Sequence, residues 1–240
     1  MILDIVIPIG NSCPNFPLSI EVALKIFKET GVKATLDLFS FHLPPTQGNE
    51  IPITVENYLS KTSLSERYLK DIDFIEKVKN KTYFVYEREK NWAYKYLKEK
   101  ENLNPNLNYL TLLDKIDPSC KEGVIASLTN RFRNTISENV NNRVVKKYII
   151  SWLIAYKYIL NNYSNGSYTF HIWNGRYCKM TAVTAAAKKL NSKCMFFELS
   201  TCMKSFIHVD YSLFDRKSRS LTWQKYSKEV DKEIIDKARK

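Results

Sequence analysis

The sequence predicts an α/β fold in which a parallel sheet is flanked by helices. Three observations carry that prediction. Apolar runs of strand length alternate along the chain with segments whose apolar residues recur at helical spacing. Residues 168–200 (YTFHIWNGRYCKMTAVTAAAKKLNSKCMFFELS) read as strand, tight turn, helix and strand, a unit that joins parallel strands. With 44% hydrophobic residues and only six glycines and eight prolines, the 240 residues support a packed core, read as a single domain over 1–240.

Residues 2–9 (ILDIVIPI) form the first, central strand, with Asp4 its only charge. Gly10, Asn11 and Ser12 follow, then Cys13–Pro17. A strand that enters a small-polar loop and then a helix is how Rossmann-like domains begin, but the GxGxxG dinucleotide fingerprint is absent. Gly10, Asn11 and Ser12 either contact a ligand at the strand end or satisfy the turn's own backbone. Leu18–Thr30 is an amphipathic helix with Ile20, Ala23, Leu24 and Phe27 on one face, and Gly31 ends it. Residues 32–41 (VKATLDLFSF) are the second strand. His42 stands at its end, as a structural histidine or a substrate contact. The stretch 43–53, with Pro44, Pro45, Gly48 and Pro52, is a loop.

Ser63 and Glu66 make a capping box, which opens a helix running to Val78. Residues 81–86 (KTYFVY) read as a short strand, 91–101 as a charged helix, 102–108 as a loop and 109–113 as another short strand. Pro118 starts a helix towards Arg131 and Arg133, two arginines that satisfy terminal carbonyls or contact a phosphate. Residues 139–162 are the longest helix. It is apolar over most of its girth and so belongs against the sheet. Its most lipid-like part, 148–160, is too short to span a bilayer and carries Lys157.

In the unit at 168–200, the helix turns Met180, Val183, Ala187 and Leu190 inward and Lys179, Thr184, Lys188 and Lys189 outward. After Ser200 the sequence reads as a polar loop in which His208, Asp210 and Asp215 match no metal-ligand spacing. A last amphipathic helix covers 220–239.

Ligands of open parallel sheets bind beyond the carboxyl ends of the strands. Asn174, Gly175 and Arg176 end one strand; Glu198, Ser200 and Thr201 end the next. One rim therefore offers a guanidinium, a carboxylate, an amide and backbone N–H groups, which suits a sugar hydroxyl or an anion.

The five cysteines are odd in number and show no CxxC, which suits reduced thiols in the cytoplasm rather than disulfides or a metal cluster. No basic leader precedes the apolar run 2–9. The net charge of +12 admits nucleic acid, an anionic membrane surface or a phosphate-bearing substrate; it also suits plain solvation, because the lysines are interleaved with acids. Nucleic acid is the least favoured, since no zinc-finger spacing, arginine-rich tract or RNA-binding aromatic signature is present.

Trp173-Asn174-Gly175-Arg176, the Ala-rich helix and Phe197-Glu198 together resemble the amino-terminal half of bacterial capsule and O-antigen polysaccharide biosynthesis glycosyltransferases. The likeness extends more loosely to the first strand, the loop Gly10–Pro17 and the helix bearing Glu21. Leu199-Ser200 replaces the glycine usual after the glutamate. The resemblance implies the two-Rossmann-domain (GT-B) plan, with a glycan or lipid-linked glycan acceptor on the amino-terminal domain. The nucleotide-sugar donor, a substrate rather than a cofactor, would bind a second domain. No second Rossmann unit follows in these 240 residues, which leaves three expectations: a piece of a longer enzyme with a donor-binding domain, a split enzyme completed by a partner chain, or a degenerate homologue.

Glycosyl transfer needs a base or stabiliser for the attacking hydroxyl and positive charge for the leaving phosphate. Glu198, partly desolvated at a strand end, is the candidate base, and Arg176 the candidate phosphate contact. Asn174 would fix a hydroxyl. Alternatively, Arg176 and Glu198 pair with each other and hold the strand ends. Two other function classes stand beside the transferase. One is a non-catalytic module that docks a partner enzyme or an anionic membrane; the other is a nucleotide- or nucleic-acid-binding protein.

Overall fold

Strand faces and helix stripes of this chain sort into two apolar clusters on opposite sides of one sheet. The computed structural model describes residues 4–9, 15–38, 73, 75–79, 86–132, 141–199, 206–210, 220–221 and 224. Among them are six strands and six helices. In chain order these are β1 (Asp4–Pro8), α1 (Asn15–Thr30), β2 (Ala34–Asp37), β3 (Ile75–Lys79), α2 (Glu87–Leu103), α3 (Tyr109–Ile116), α4 (Pro118–Phe132), α5 (Asn142–Asn162), β4 (Tyr168–Trp173), α6 (Cys178–Lys189), β5 (Lys193–Leu199) and β6 (Phe206–Val209).

The six strands form one sheet in the order β3-β2-β1-β4-β5-β6. The first five run parallel, and β6 is antiparallel to β5. The chain therefore builds outward from β1 through β2 to β3, then returns to the other side of β1 as β4 and β5. The strand order reverses between β1 and β4, where the registers Ile5↔Thr169 and Val6↔Phe170 join them. A crevice at such a reversal is where open parallel sheets bind ligands.

Period-two alternation divides the core. Ile5 and Ile7 of β1, with Ile9 just after it, join Leu36, Leu38 and Phe197 beneath Leu18, Val22, Ala23 and Ile26 of α1. Val6, Phe170, Ile172 and Phe196 face the other way, into a larger cluster with residues of α2 to α6. Helix α5 is the centre of that cluster. Residues 148–155 are buried without a break, because the helix has neighbours on several sides and keeps no wide polar face. Its carboxyl end reaches the sheet, where Tyr163 stands edge-on to Tyr168 and Phe170 at 5.0 and 5.3 Å.

The α/β architecture and the parallel unit at 168–199 match the sequence expectation, but four readings need correction. The helix expected to continue to Val78 is not continuous, because Ile75–Lys79 is a strand paired with β2. Ile75 and Val78, three apart, mimic a helical face, and edge pairing overrides that local pattern. Residues 109–113 are helix rather than strand. The Asn108 side chain accepts from the Leu110 N–H at 2.9 Å as an N-cap, and Tyr109, Leu112 and Leu113 are buried on one face. The expected loop after Ser200 contains β6, so the sheet is mostly rather than wholly parallel. Lys179, expected on the outer face of its helix, is buried.

Helix α2 begins at Glu87, four residues earlier than expected. Tyr86 is its N-cap, and the rest of the predicted strand at 81–86 lies outside the described residues. So do the start of the helix from Ser63, the loop 43–53, Arg133 and most of the predicted terminal helix, of which residues 220, 221 and 224 are helical. No described helix is long and apolar enough to cross a membrane.

Candidate active site

The end of β4 is a turn that most residues resist. Asn174 has φ 60° and Gly175 φ 68°, two successive residues in the left-handed region. The Gly175 N–H donates to the Trp173 carbonyl at 2.6 Å, which closes the turn, and the Asn174 N–H donates to the Phe197 carbonyl at 2.8 Å, which fastens it to β5. A strand end and its neighbour are thereby held in fixed register before any side chain contributes.

Glu198, the penultimate residue of β5, is built into this turn. The Asn174 side-chain amide donates to Glu198 Oε2, and the Trp173 indole N–H donates to Oε1 at 3.2 Å. The Asn174 side-chain oxygen, Oδ1, in turn accepts from the Arg176 backbone N–H at 3.3 Å. Asn174 is buried and Glu198 half-buried. A carboxylate has about four lone-pair directions, so two donors leave capacity for a substrate hydroxyl. The donors fix the carboxylate without consuming it.

Arg176 reaches the same rim but does not form an ion pair with Glu198 among the described residues. The pairing that the sequence allowed is corrected accordingly: Trp173 and Asn174 hold the carboxylate. The Arg176 guanidinium lies 5.8 Å from the centre of the Tyr177 ring, and that ring stacks on Trp173 at 6.0 Å with planes 28° apart. Trp173 and Tyr177 are both half-buried.

Helix α6 starts directly after this turn and points its amino end at the rim. Tyr177 gives it no side-chain cap; Ser127 Oγ accepts from the Cys178 N–H at 2.9 Å. The amino end of the helix and the Arg176 guanidinium, beside Tyr177, place positive charge next to the turn. Of the predicted site residues, the structure thus brings together Asn174, Gly175, Arg176 and Glu198. Gly10, Asn11, Ser12, His42 and Ser200 lie outside the described residues, although β1, which precedes the first three, is the neighbour of β4.

Four groups escaped sequence reading. Trp173 and Tyr177 flank the Asn-Gly-Arg turn, and an aromatic residue on each side of a strand-end turn is a readable signal. Asp37 is fully buried at the end of β2 and accepts from the Tyr158 hydroxyl at 2.9 Å and from that of Tyr163. A single acid in the apolar run VKATLDLFSF was its signal. Glu89, also buried, accepts from Asn161 at 2.6 Å and from Arg88 at 3.0 Å. His171 on β4 meets His208 on β6 at 2.8 Å, a contact visible only once β6 is a strand.

Among the described residues, no three His, Cys, Asp or Glu side chains converge as metal ligands, and Cys120, Cys178 and Cys194 form no disulfide. An open hollow of about 660 Å³ lined by Glu101, Asn102, Pro105, Leu107, Tyr109 and Asn142 contains none of the strand-end residues. Its carboxylate is already engaged by Lys146 at 2.5 Å and by the Tyr109 hydroxyl. Comparison of the chain with family models, with curated proteins and with solved structures finds no match, so the reading of this rim rests on its own geometry.

Proposed function

We propose that this chain is a glycosyltransferase of bacterial surface-polysaccharide assembly (capsule or O-antigen), or the acceptor-binding half of one on a GT-B plan. The observation that carries the reading is Glu198, fixed by Trp173 and Asn174 one strand away from the crevice where the strand order reverses. In the proposed reaction an acceptor hydroxyl donates its hydrogen bond to Glu198. The hydroxyl oxygen attacks the anomeric carbon of a nucleotide sugar, its proton passes to the carboxylate, and the bond to the phosphate oxygen breaks. The departing negative charge is met by Arg176 and the amino end of α6. The half-buried aromatic rings of Trp173 and Tyr177 suit the C–H face of a sugar ring.

On this reading the donor is a nucleotide-sugar substrate and no cofactor is needed. A second domain or partner chain presents the donor. The protein works in the cytoplasm, peripherally at the inner face of the membrane, where its net charge of +12 suits an anionic surface. That charge also favours the second reading, a non-catalytic module that docks a partner enzyme or anionic lipid.

The test is a binding screen of the chain against nucleotide sugars, lipid-linked oligosaccharides and anionic vesicles, repeated with Glu198→Gln. Glycan or nucleotide-sugar binding, with transfer abolished or binding weakened at least tenfold in Glu198→Gln, supports the proposal. Gln offers one acceptor where two donors converge, so the substitution also costs about 1–2 kcal/mol of stability. Vesicle binding alone supports the second reading. Equal loss of binding and of stability assigns Glu198 a structural role.

A further inference from the structure

Apart from the strand-end rim, two histidines join strands that are not neighbours. His171 lies on β4, opposite Met195 of β5; His208 lies on β6, opposite Phe197 of β5. Their rings meet across β5 with Nδ1 of His171 and Nε2 of His208 2.8 Å apart, ring centres 4.9 Å apart and planes 44° apart. His171 is only 5% exposed and His208 is half-buried. The charged groups facing the pair are Lys25 and Glu29 of α1 and Lys193 of β5, two cations against one anion.

A hydrogen bond between two imidazoles needs one N–H and one bare nitrogen. One added proton still leaves a donor and an acceptor, as imidazolium on imidazole. That charge would sit buried beside Lys25 and Lys193. A second proton sets two N–H groups head to head and the contact is lost. Burial pushes His171 down to about 3, helped by His208, Lys193 and Lys25, and burial also lowers His208.

We propose that the His171–His208 contact is an acid-sensitive latch that fastens the antiparallel edge strand β6 to the sheet and, through β5, steadies Glu198. The mechanical link is the register: Ile207 of β6 pairs with Glu198, and Phe206 with Leu199. The latch does not depend on the glycan reading, since it concerns only how the edge strand is held.

Both rings take up a proton less readily in the folded chain than in the unfolded one. The unfolded state therefore gains protons first as the pH falls below the ordinary histidine value of 6.5. The latch's contribution is complete above that value and is lost as the pH falls towards about 3. Between pH 7 and pH 5, the unfolded-to-folded ratio rises roughly 25-fold for one histidine held neutral in the fold.

The experiment measures urea unfolding of the full chain at pH 7 and pH 5 for the wild type, His208→Gln and His171→Gln/His208→Gln. It adds ring-proton NMR titration and amide hydrogen exchange corrected for intrinsic rates. The latch predicts an acid loss of at least 25-fold in the wild type that the double variant lacks. It also predicts exchange at residues 206–209 accelerating at pH 5 before that of β1 and β4. Ring signals of both histidines titrating near 6.5, with β6 exchange unchanged, would overturn it. So would an undiminished acid loss in a folded double variant. If the double variant does not fold, the wild-type titration and exchange decide alone.

Discussion

Gly175 and Phe196 approach so closely that no side chain fits between them. A Cβ on Gly175 would lie 2.6 Å from both Cδ1 and Cε1 of the Phe196 ring. That ring is 4% exposed within the larger apolar cluster, so it has nowhere to swing. Two demands coincide at this position, since the backbone also needs φ 68°. Gly31 separates them. It has φ +71° at the end of α1, yet a Cβ there would meet nothing within 4 Å.

Gly31→Ala therefore isolates the backbone penalty, about 1–2 kcal/mol. Gly175→Ala adds overpacking against Phe196, for a total of about 2–5 kcal/mol. Urea unfolding of the two variants side by side checks this. Equal losses would mean that Phe196 yields to the new methyl group, and that the turn is looser than the contact implies.

Asn174 links the turn to the carboxylate, which gives a second prediction. Asn174→Asp keeps the shape of the side chain but replaces the donor facing Glu198 Oε2 with an acceptor. At neutral pH two carboxylates then meet, and about 2–4 kcal/mol of stability is lost. The loss shrinks in acid, as one of the two takes up a proton. Asn174→Gly costs less, because glycine accepts φ 60° without strain and adds no charge. Denaturation of both variants from pH 7 to pH 4 distinguishes charge repulsion from loss of the amide. An Asn174→Asp deficit that stays constant with pH would refute the repulsion.

The strongest parts of the fold were legible because local pattern and tertiary role agree there. Residues 168–173 and 193–199 are strands within the bounds that composition suggested, and Asn174-Gly175 is the turn between them and the helix. The carboxylate at the rim was legible too, since Glu198 is the one acid of its strand. What holds it was not. Trp173 and Asn174 sit 25 and 24 residues earlier, and nothing local says that they, rather than Arg176, will donate. The misread elements fail for the same reason. Residues 75–79 become a strand through pairing with β2, and 206–209 through pairing with β5. Neither segment carries that information alone. Tyr109–Ile116 is different: Asn108 was a legible cap, outweighed by the β propensity of Tyr109-Leu110-Thr111.

Asp37 supplies the last prediction. It is fully buried, and the hydroxyls of Tyr158 and Tyr163 both donate to it. Burial, then the Asp37 charge, pushes both phenols well above the ordinary tyrosine value of 10; Tyr86, whose ring lies 5.2 Å from that of Tyr158, is raised by the same two causes. Above pH 10 the folded chain thus keeps protons that the unfolded chain releases. The contribution of these phenols is complete below about 10 and is lost as the pH rises further. Tyr163→Phe removes one donor to a buried carboxylate and one such proton. At pH 7 it should cost about 1.5–3 kcal/mol, with Tyr158 still bound to Asp37 at 2.9 Å. Above pH 10 its stability should fall less steeply than that of the wild type, so the two curves converge. Urea unfolding from pH 7 to pH 11.5, with phenolate absorbance followed in parallel, measures both effects. An alkaline slope unchanged by Tyr163→Phe would show that this hydroxyl ionises in the folded protein, contrary to its buried contact with Asp37.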